Sequence, residues 1–317
     1  MFLSKYYHGL EFSFQHLKAV QIKRHGNKMI VEKAGLQFLH KDAYGEGVIL
    51  QPKLVAEAIT ALWDQLEFTR AQVIVSIGGP QVLFRILNLP KMKAKELRTA
   101  LYWELENHFP HSAPEMVYDY TNIGFTSVAN GGQEKILVVG TTRRLIDSYL
   151  ETFDLAGIEV RALEPEVYAL LRILELNQGC NIILAFKDYY TNFMLTKAGK
   201  LLYNRVLPWG SETLSKDEQV LDKLFVPECY RSLQFCQEQV GGDIVSFDEI
   251  LIWGAPVCLI EYLGEKLKAR LRLPVRRNVF YKNQQLSWSE AVPEEKRGLF
   301  TIGVGSALRE VKVSARH

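Results

Sequence analysis

Residues 89–120, LPKMKAKELRTALYWELENHFPHSAPEMVYDY, decide how this chain folds. Leu97, Leu101, Leu105 and Phe109 recur at four-residue steps through residues 93–109, the spacing of one face of an α-helix, with Trp103 beside that stripe. Pro110 stops the helix, because proline lacks the backbone donor and its ring crowds the preceding turn. Residues 116–125 (MVYDYTNIGF) and 135–143 (KILVVGTTR) then read as antiparallel strands, joined by a loop that holds Asn130, Gly131 and Gly132. On the other side, residues 71–79 (AQVIVSIGG) form a short buried strand ending in glycines, and residues 82–90 (VLFRILNLP) form a second strand stopped by Pro90. The pattern is strand, helix, strand, strand, set inside a larger α/β chain.

Upstream, residues 8–24 (HGLEFSFQHLKAVQIKR) and 25–39 (HGNKMIVEKAGLQFL) alternate as a β-hairpin turning at His25, Gly26 and Asn27. Residues 51–68 read as a helix, with Pro52 near its start and Leu54, Ala58, Ile59, Leu62 and Leu66 at helical spacing. Downstream, residues 145–157 form a helix closed by Gly157, and residues 167–176 form another. After Gly179 the pattern restarts. Residues 181–210 give a meander of two or three strands with a turn at Ala198 and Gly199, echoing the first hairpin and predicting two related halves. A polar segment, 211–225, leads into a helix at about 227–240, and residues 248–274 read as strand, tight turn and helix. Residues 298–310 are a small-residue turn entering a final helix at 305–312, with a frayed tail over 312–317.

The 317 residues suit two domains or one elaborated α/β unit, and 48% hydrophobic with 23% charged residues allows a sizeable core. A net charge of +2 is too mild to argue for nucleic acid. No apolar run approaches the roughly 18 residues that cross a bilayer. The start, MFLSKYYHGLEF, lacks the apolar core of a secretory signal, so an intracellular protein is expected. Cys180, Cys229, Cys236 and Cys258 form no CxxC pair and read as buried thiols, with Cys229 and Cys236 on one helix face.

The sequence holds no GxSxG, HExxH or P-loop, and no catalytic residue is expected. His108 and His111 flank the helix-breaking Pro110 without an evident third ligand, so no metal site is expected. Lys91, Lys93, Lys95, the run 266–272, and Arg276 with Arg277 read as solvated basic faces, with a contact to anionic lipid as the lesser reading. Trp103, Phe109, Tyr118 and Tyr120 are candidates for a groove that takes a partner strand or peptide; core packing is the competing reading for Trp103 and Phe109.

Several blocks, in order, resemble one family, the type IV pilus assembly protein PilM. They are GLEFSFQHLKAVQI from residue 9; residues 89–120, with the aromatic-acid pair Trp103-Glu104, the Phe109-Pro110 break and Asp119-Tyr120; residues 136–172; Tyr230-Arg231-Ser232-Leu233-Gln234-Phe235; and FTIGVGSALRE from residue 300. The resemblance implies an actin-like (ribonuclease H-like) two-lobed α/β fold, shared with FtsA. Its first lobe spans residues 1–179 and carries an inserted strand–helix–strand–strand subdomain at about 76–157. Its second lobe spans 180–317, with a reduced helical subdomain near 211–228 and the last helix, 305–312, packing back on the core.

Actin-like relatives hold Mg-ATP with small residues that bare backbone N–H groups to the phosphates, acids that hold the metal, and glycines against the adenine. In the first loop the resemblance keeps an acid at Glu11 but puts Ser13 where a turn glycine stands, followed by Phe14. In the second, the metal-holding acid is Ala185, a glycine is Lys187, Tyr189 and Tyr190 add bulk, and Thr191 restores the match. In the adenosine loop only Gly254 is kept. Glu11, Ser13, Lys187, Thr191 and Gly254 are thus expected to mark a vestigial nucleotide cleft, with neither ATP nor magnesium as a working cofactor.

The resemblance therefore implies a non-catalytic scaffold, a pseudo-ATPase, at the inner face of the cytoplasmic membrane. It would hold the cytoplasmic N-terminal tail of a PilN-like inner-membrane protein and contact pilus motor ATPases, in a pilus, competence or secretion machine. A nucleotide-binding ATPase of the same machine is the alternative.

Overall fold

The computed structural model describes residues 5–26, 28–68, 72–126, 132–174, 176, 178–240, 246–277 and 286–311. In chain order, strands β1 (Lys5–Ser13), β2 (His16–His25) and β3 (Lys28–Phe38) precede a short pair, β4 (Tyr44–Gly45) and β5 (Val48–Ile49), then α1 (Pro52–Gln65) and β6 (Val73–Ile77). Next come β7 (Leu83–Leu89), α2 (Ala94–His108), β8 (Met116–Phe125), β9 (Glu134–Thr142), α3 (Arg143–Leu155), β10 (Val160–Pro165) and α4 (Glu166–Leu174). The remainder is β11 (Cys180–Phe186), β12 (Thr191–Lys197), β13 (Lys200–Leu207), α5 (Ser211–Leu214), α6 (Glu218–Val220), α7 (Val226–Val240), β14 (Glu249–Trp253), α8 (Val257–Leu271), β15 (Val275–Arg277), β16 (Leu286–Trp288) and α9 (Thr301–Ala307).

The chain forms two compact units. The first, Met1–Gly79, Leu145–Glu175 and Phe280–His317, is built on a six-stranded sheet ordered β10-β6-β1-β2-β3-β16. The second, Pro80–Arg144 and Leu176–Val279, carries a five-stranded sheet ordered β13-β12-β11-β14-β15 and a three-stranded sheet ordered β7-β9-β8. The two larger sheets share a plan. An antiparallel meander (β1-β2-β3 or β11-β12-β13) is extended from its first strand by parallel strands, β6 and β10 or β14 and β15. This is the internal echo expected from the two hairpins, and it is the actin-like plan.

The expected boundary at 179/180 is not where the chain divides. Residues 280–317 pack with the first unit because α9 presents small residues to β1. A Cβ on Gly9 would collide with the carbonyl of Gly303 and the amide nitrogen of Ala307, and one on Gly305 would collide with the carbonyl of Ala169 on α4. Such close approach of helix and strand requires glycine. The final helix accordingly begins at Thr301, not 305, and ends in a 3₁₀ turn, Leu308–Glu310. The inserted segment, β7 to β9, groups with the second unit, and α3, expected within it, returns to the first. Asn27, Asn130, Gly131 and the tail over 312–317 lie outside the described residues.

Helix α1 starts with Pro52 in its first turn, where the missing N–H costs nothing. Its buried face is Val55, Ala56, Ile59, Leu62 and Trp63, so Leu54 is exposed. The burial of Trp63 rotates the core face by one residue from the stripe read in the sequence. In the second unit, Cys180, Cys229 and Cys236 are buried with Phe186, Phe193 and Phe225, whereas Cys258, read as buried, is exposed near the start of α8.

Candidate functional site

The inserted segment has its own small core. Leu97, Leu101 and Leu105 on α2 meet Leu87, Leu89, Ile136 and Val138 of the sheet, with Phe109 and Met116 closing the end. At the start of α2, the Lys93 amide donates to the Glu96 carboxylate at 3.0 Å. At its end, Phe109 turns to an extended backbone ahead of Pro110, as the residue before a proline prefers.

The four aromatic candidates divide. Phe109 is buried in this core, under the Arg85 guanidinium. Tyr118 and Tyr120 are half-buried at its margin, and the Tyr118 hydroxyl lies 3.4 Å from the Arg98 carbonyl. Burial, with Tyr120 nearby, pushes the Tyr118 phenol above its usual range. Trp103 is 62% exposed on the outward side of α2, its ring edge-on to Tyr102 at 5.5 Å. Trp103, Tyr118 and Tyr120 thus reach the surface of this segment, and Phe109 belongs to its core.

The five nucleotide-loop candidates fall on both units. In the first unit, β1 and β2 are joined by the two residues Phe14 and Gln15, with Ser13 opposite His16. The Ser13 hydroxyl donates to the His16 carbonyl at 3.1 Å, closing the turn on itself. Glu11 is buried in β1, 3.6 Å from the Lys18 ammonium.

In the second unit, the loop between β11 and β12 is closed by its own neighbours. The Lys187 amide donates to the Tyr190 carbonyl at 2.9 Å. The first amides of α5, Ser211 and Glu212, donate to the Lys187 and Asp188 carbonyls at 2.9 and 3.0 Å. Thr191 is fully buried, and its hydroxyl donates to the Trp209 carbonyl at 2.7 Å. Gly254 adopts φ +82°, and a Cβ there would strike the Phe186 carbonyl oxygen. Its retention is accounted for by the packing of β11 against the turn after β14. Among the described residues no group of three or more His, Cys, Asp or Glu converges as metal donors. His108 instead sits 3.3 Å from Glu104, one turn back on α2.

Sequence reasoning passed over two features. Glu164 is buried and held by Arg172 at 2.6 and 3.1 Å, with Arg309 at 3.8 Å. The second feature is a cleft of about 580 Å³ in the second unit, lined by Phe84, Arg85, His108, Tyr203, Arg205 and Phe235 among others. Burial pushes the Tyr203 phenol to about 12. The one sequence signal for this cleft is Arg85, the single charge inside a mostly apolar strand run. Of the basic clusters, Lys266, Arg276 and Arg277 pair with Asp222, Glu249 and Glu261. Among the described residues no helix is long and apolar enough to cross a membrane.

A family model described as type IV pilus assembly protein PilM matches residues 9–220. The chain is similar to a solved PilM-PilN type IV pilus biogenesis complex, with 21% identity and a TM-score of 0.79 over 97% of this chain and 99% of that one. It is also similar to the ethanolamine utilization protein EutJ from Carboxydothermus hydrogenoformans, with 14% identity and a TM-score of 0.52 over 97% and 90% of the two chains. The cytoplasmic domain of EpsL, an inner-membrane component of the type II secretion system of Vibrio cholerae, matches with 12% identity and a TM-score of 0.51 over 96% and 95%. No curated protein matches the chain in sequence.

Proposed function

The chain belongs to the type IV pilus assembly protein PilM family, and from that premise we propose that it is a non-catalytic scaffold of a type IV pilus or related machine. In this reading it sits at the cytoplasmic face of the inner membrane and holds the N-terminal tail of a PilN-like protein. The carrying observation is that the loops which serve nucleotide in the actin-like fold are occupied by their own chain. The Ser13 and Thr191 hydroxyls donate to His16 and Trp209, and the α5 amides are used on Lys187 and Asp188. A magnesium–phosphate group needs free N–H donors and acids, and the second loop offers a buried Ala185 in place of an acid. These residues do not fit Mg-ATP.

The inserted segment supports the docking half of the proposal. It keeps a complete core and presents Trp103 at its surface, and exposed tryptophan beside tyrosine is the usual anchor of a protein interface. The test is a pull-down with the synthetic cytoplasmic N-terminal tail of a PilN-like protein. Saturable binding at micromolar concentration, lost on Trp103→Ala, is expected. No binding by the folded wild-type protein at high micromolar concentration contradicts the reading.

A further inference from the structure

The basic residues of the second unit divide by what faces them. Lys266, Arg276 and Arg277 each meet a carboxylate, at 2.9, 2.6 and 3.7 Å. Lys91, Lys93, Lys95 and Arg98 do not. All four are exposed, and among the described residues no carboxylate lies within ion-pairing distance of any of them. The acid placed among them, Glu96, turns its carboxylate back to accept from the Lys93 amide. Four cations therefore fall within eight residues at the head of α2, and the fold neutralises none of them.

These cations add nothing to the helix they lead into. An α-helix carries partial positive charge at its N-terminal end, so basic side chains there are weakly destabilising. Charge is also segregated along α2. Glu104 and Glu106 lie toward its other end, with Glu104 beside His108. A surface that meets the head of α2 end-on touches an excess of cations, whereas one that follows the helix along its length meets these acids as well. A planar anionic surface suits the first geometry. A nucleic acid duplex needs an extended basic track, which the acidic end of α2 interrupts and a net charge of +2 does not supply elsewhere.

We propose that the head of α2 is a contact for an anionic lipid bilayer, with Lys91, Lys93, Lys95 and Arg98 set against its headgroups. Each basic residue held near such a leaflet strengthens partition about five-fold, so four supply roughly a few hundred-fold. The attraction fades over about 8 Å at physiological salt. Contact of that strength is reversible, and it becomes firm only beside a second attachment. The inference goes beyond the tail-binding proposal and does not need it, because Trp103 takes no part in it.

The test is co-sedimentation of the full chain with vesicles of equal parts phosphatidylglycerol and phosphatidylcholine, against vesicles of phosphatidylcholine alone, at low and high salt. Binding to the anionic vesicles at low salt is expected, at least about ten-fold weaker on phosphatidylcholine alone or at high salt. Joint replacement Lys91→Gln, Lys93→Gln and Lys95→Gln should weaken it about a hundred-fold. The joint variant Lys266→Gln, Arg276→Gln and Arg277→Gln removes the same charge from the paired clusters and should bind within about two-fold of wild type. All six side chains are exposed, and circular dichroism checks that both variants fold. No binding that depends on phosphatidylglycerol at low salt, or equal losses in the two variants, would overturn the proposal. So would tighter binding to a DNA duplex that the Lys91, Lys93 and Lys95 replacements abolish, which would assign the patch to nucleic acid.

Discussion

The Thr191 hydroxyl donates to the Trp209 carbonyl at 2.7 Å, from a side chain with no exposed surface. One bond therefore ties the start of β12 to Trp209, two residues ahead of α5, and the first amides of α5, on Ser211 and Glu212, in turn donate to the loop before β12. The threonine that matches the family's phosphate loop acts here as a structural tie.

That tie has a measurable cost when cut. Thr191→Val keeps the volume, removes the donor and strands a buried carbonyl, a change worth about 1–3 kcal/mol. Urea unfolding should show the loss, while the affinity for the PilN-like tail stays unchanged. A valine variant as stable as wild type would mean that the bond contributes nothing.

The inserted segment separates packing from docking on a single helix. Leu101 is fully buried, so Leu101→Ala should cost about 2–5 kcal/mol in unfolding free energy. Trp103 faces out, and Trp103→Ala should change stability by less than about 0.5 kcal/mol while weakening tail binding by roughly 2 kcal/mol, about thirty-fold. The reverse pattern, with Trp103 stabilising and binding indifferent to it, would place the docking surface elsewhere.

Much of this was legible because it rests on periodicity. The α2 stripe and the strand alternation carry their own geometry, and the three leucines are buried as their spacing requires. What stayed hidden depends on the third dimension. The stripe of α1 misled because Trp63, not Leu54, fills the core. The division of the chain was missed because the glycines of α9 reveal their purpose only when β1 lies against them. Phe109 and Trp103 looked alike in sequence, but the helix turns one inward and the other to solvent. The cleft was invisible because it joins strands 120 residues apart, between Arg85 and Arg205.

His8 gives the first unit a pH dependence. The ring is buried against Phe68, with Gln21 2.9 Å from its Nε2, and burial lowers its pKa from 6.5 to about 4. Above pH 6.5 both the folded and the unfolded chain hold it neutral, and its full contribution is present. Between pH 6.5 and 4 the unfolded chain takes up a proton that the folded chain refuses, so stability falls as pH falls, by about 3 kcal/mol across that window. Urea midpoints at pH 7, 5.5 and 4.5 should show a shallower loss for His8→Leu than for wild type. Equal slopes would rule out His8 as the source.

The central proposal is that each of the phosphate loops, having given donors to its own neighbours, does not take nucleotide. Isothermal titration of the purified protein with Mg-ATP to millimolar concentration tests it directly, with the PilN-like tail titrated into the same preparation to show that it is competent. The account predicts heat of dilution alone for Mg-ATP beside a saturable isotherm for the tail. A saturable Mg-ATP isotherm that disappears in Glu11→Gln would contradict it.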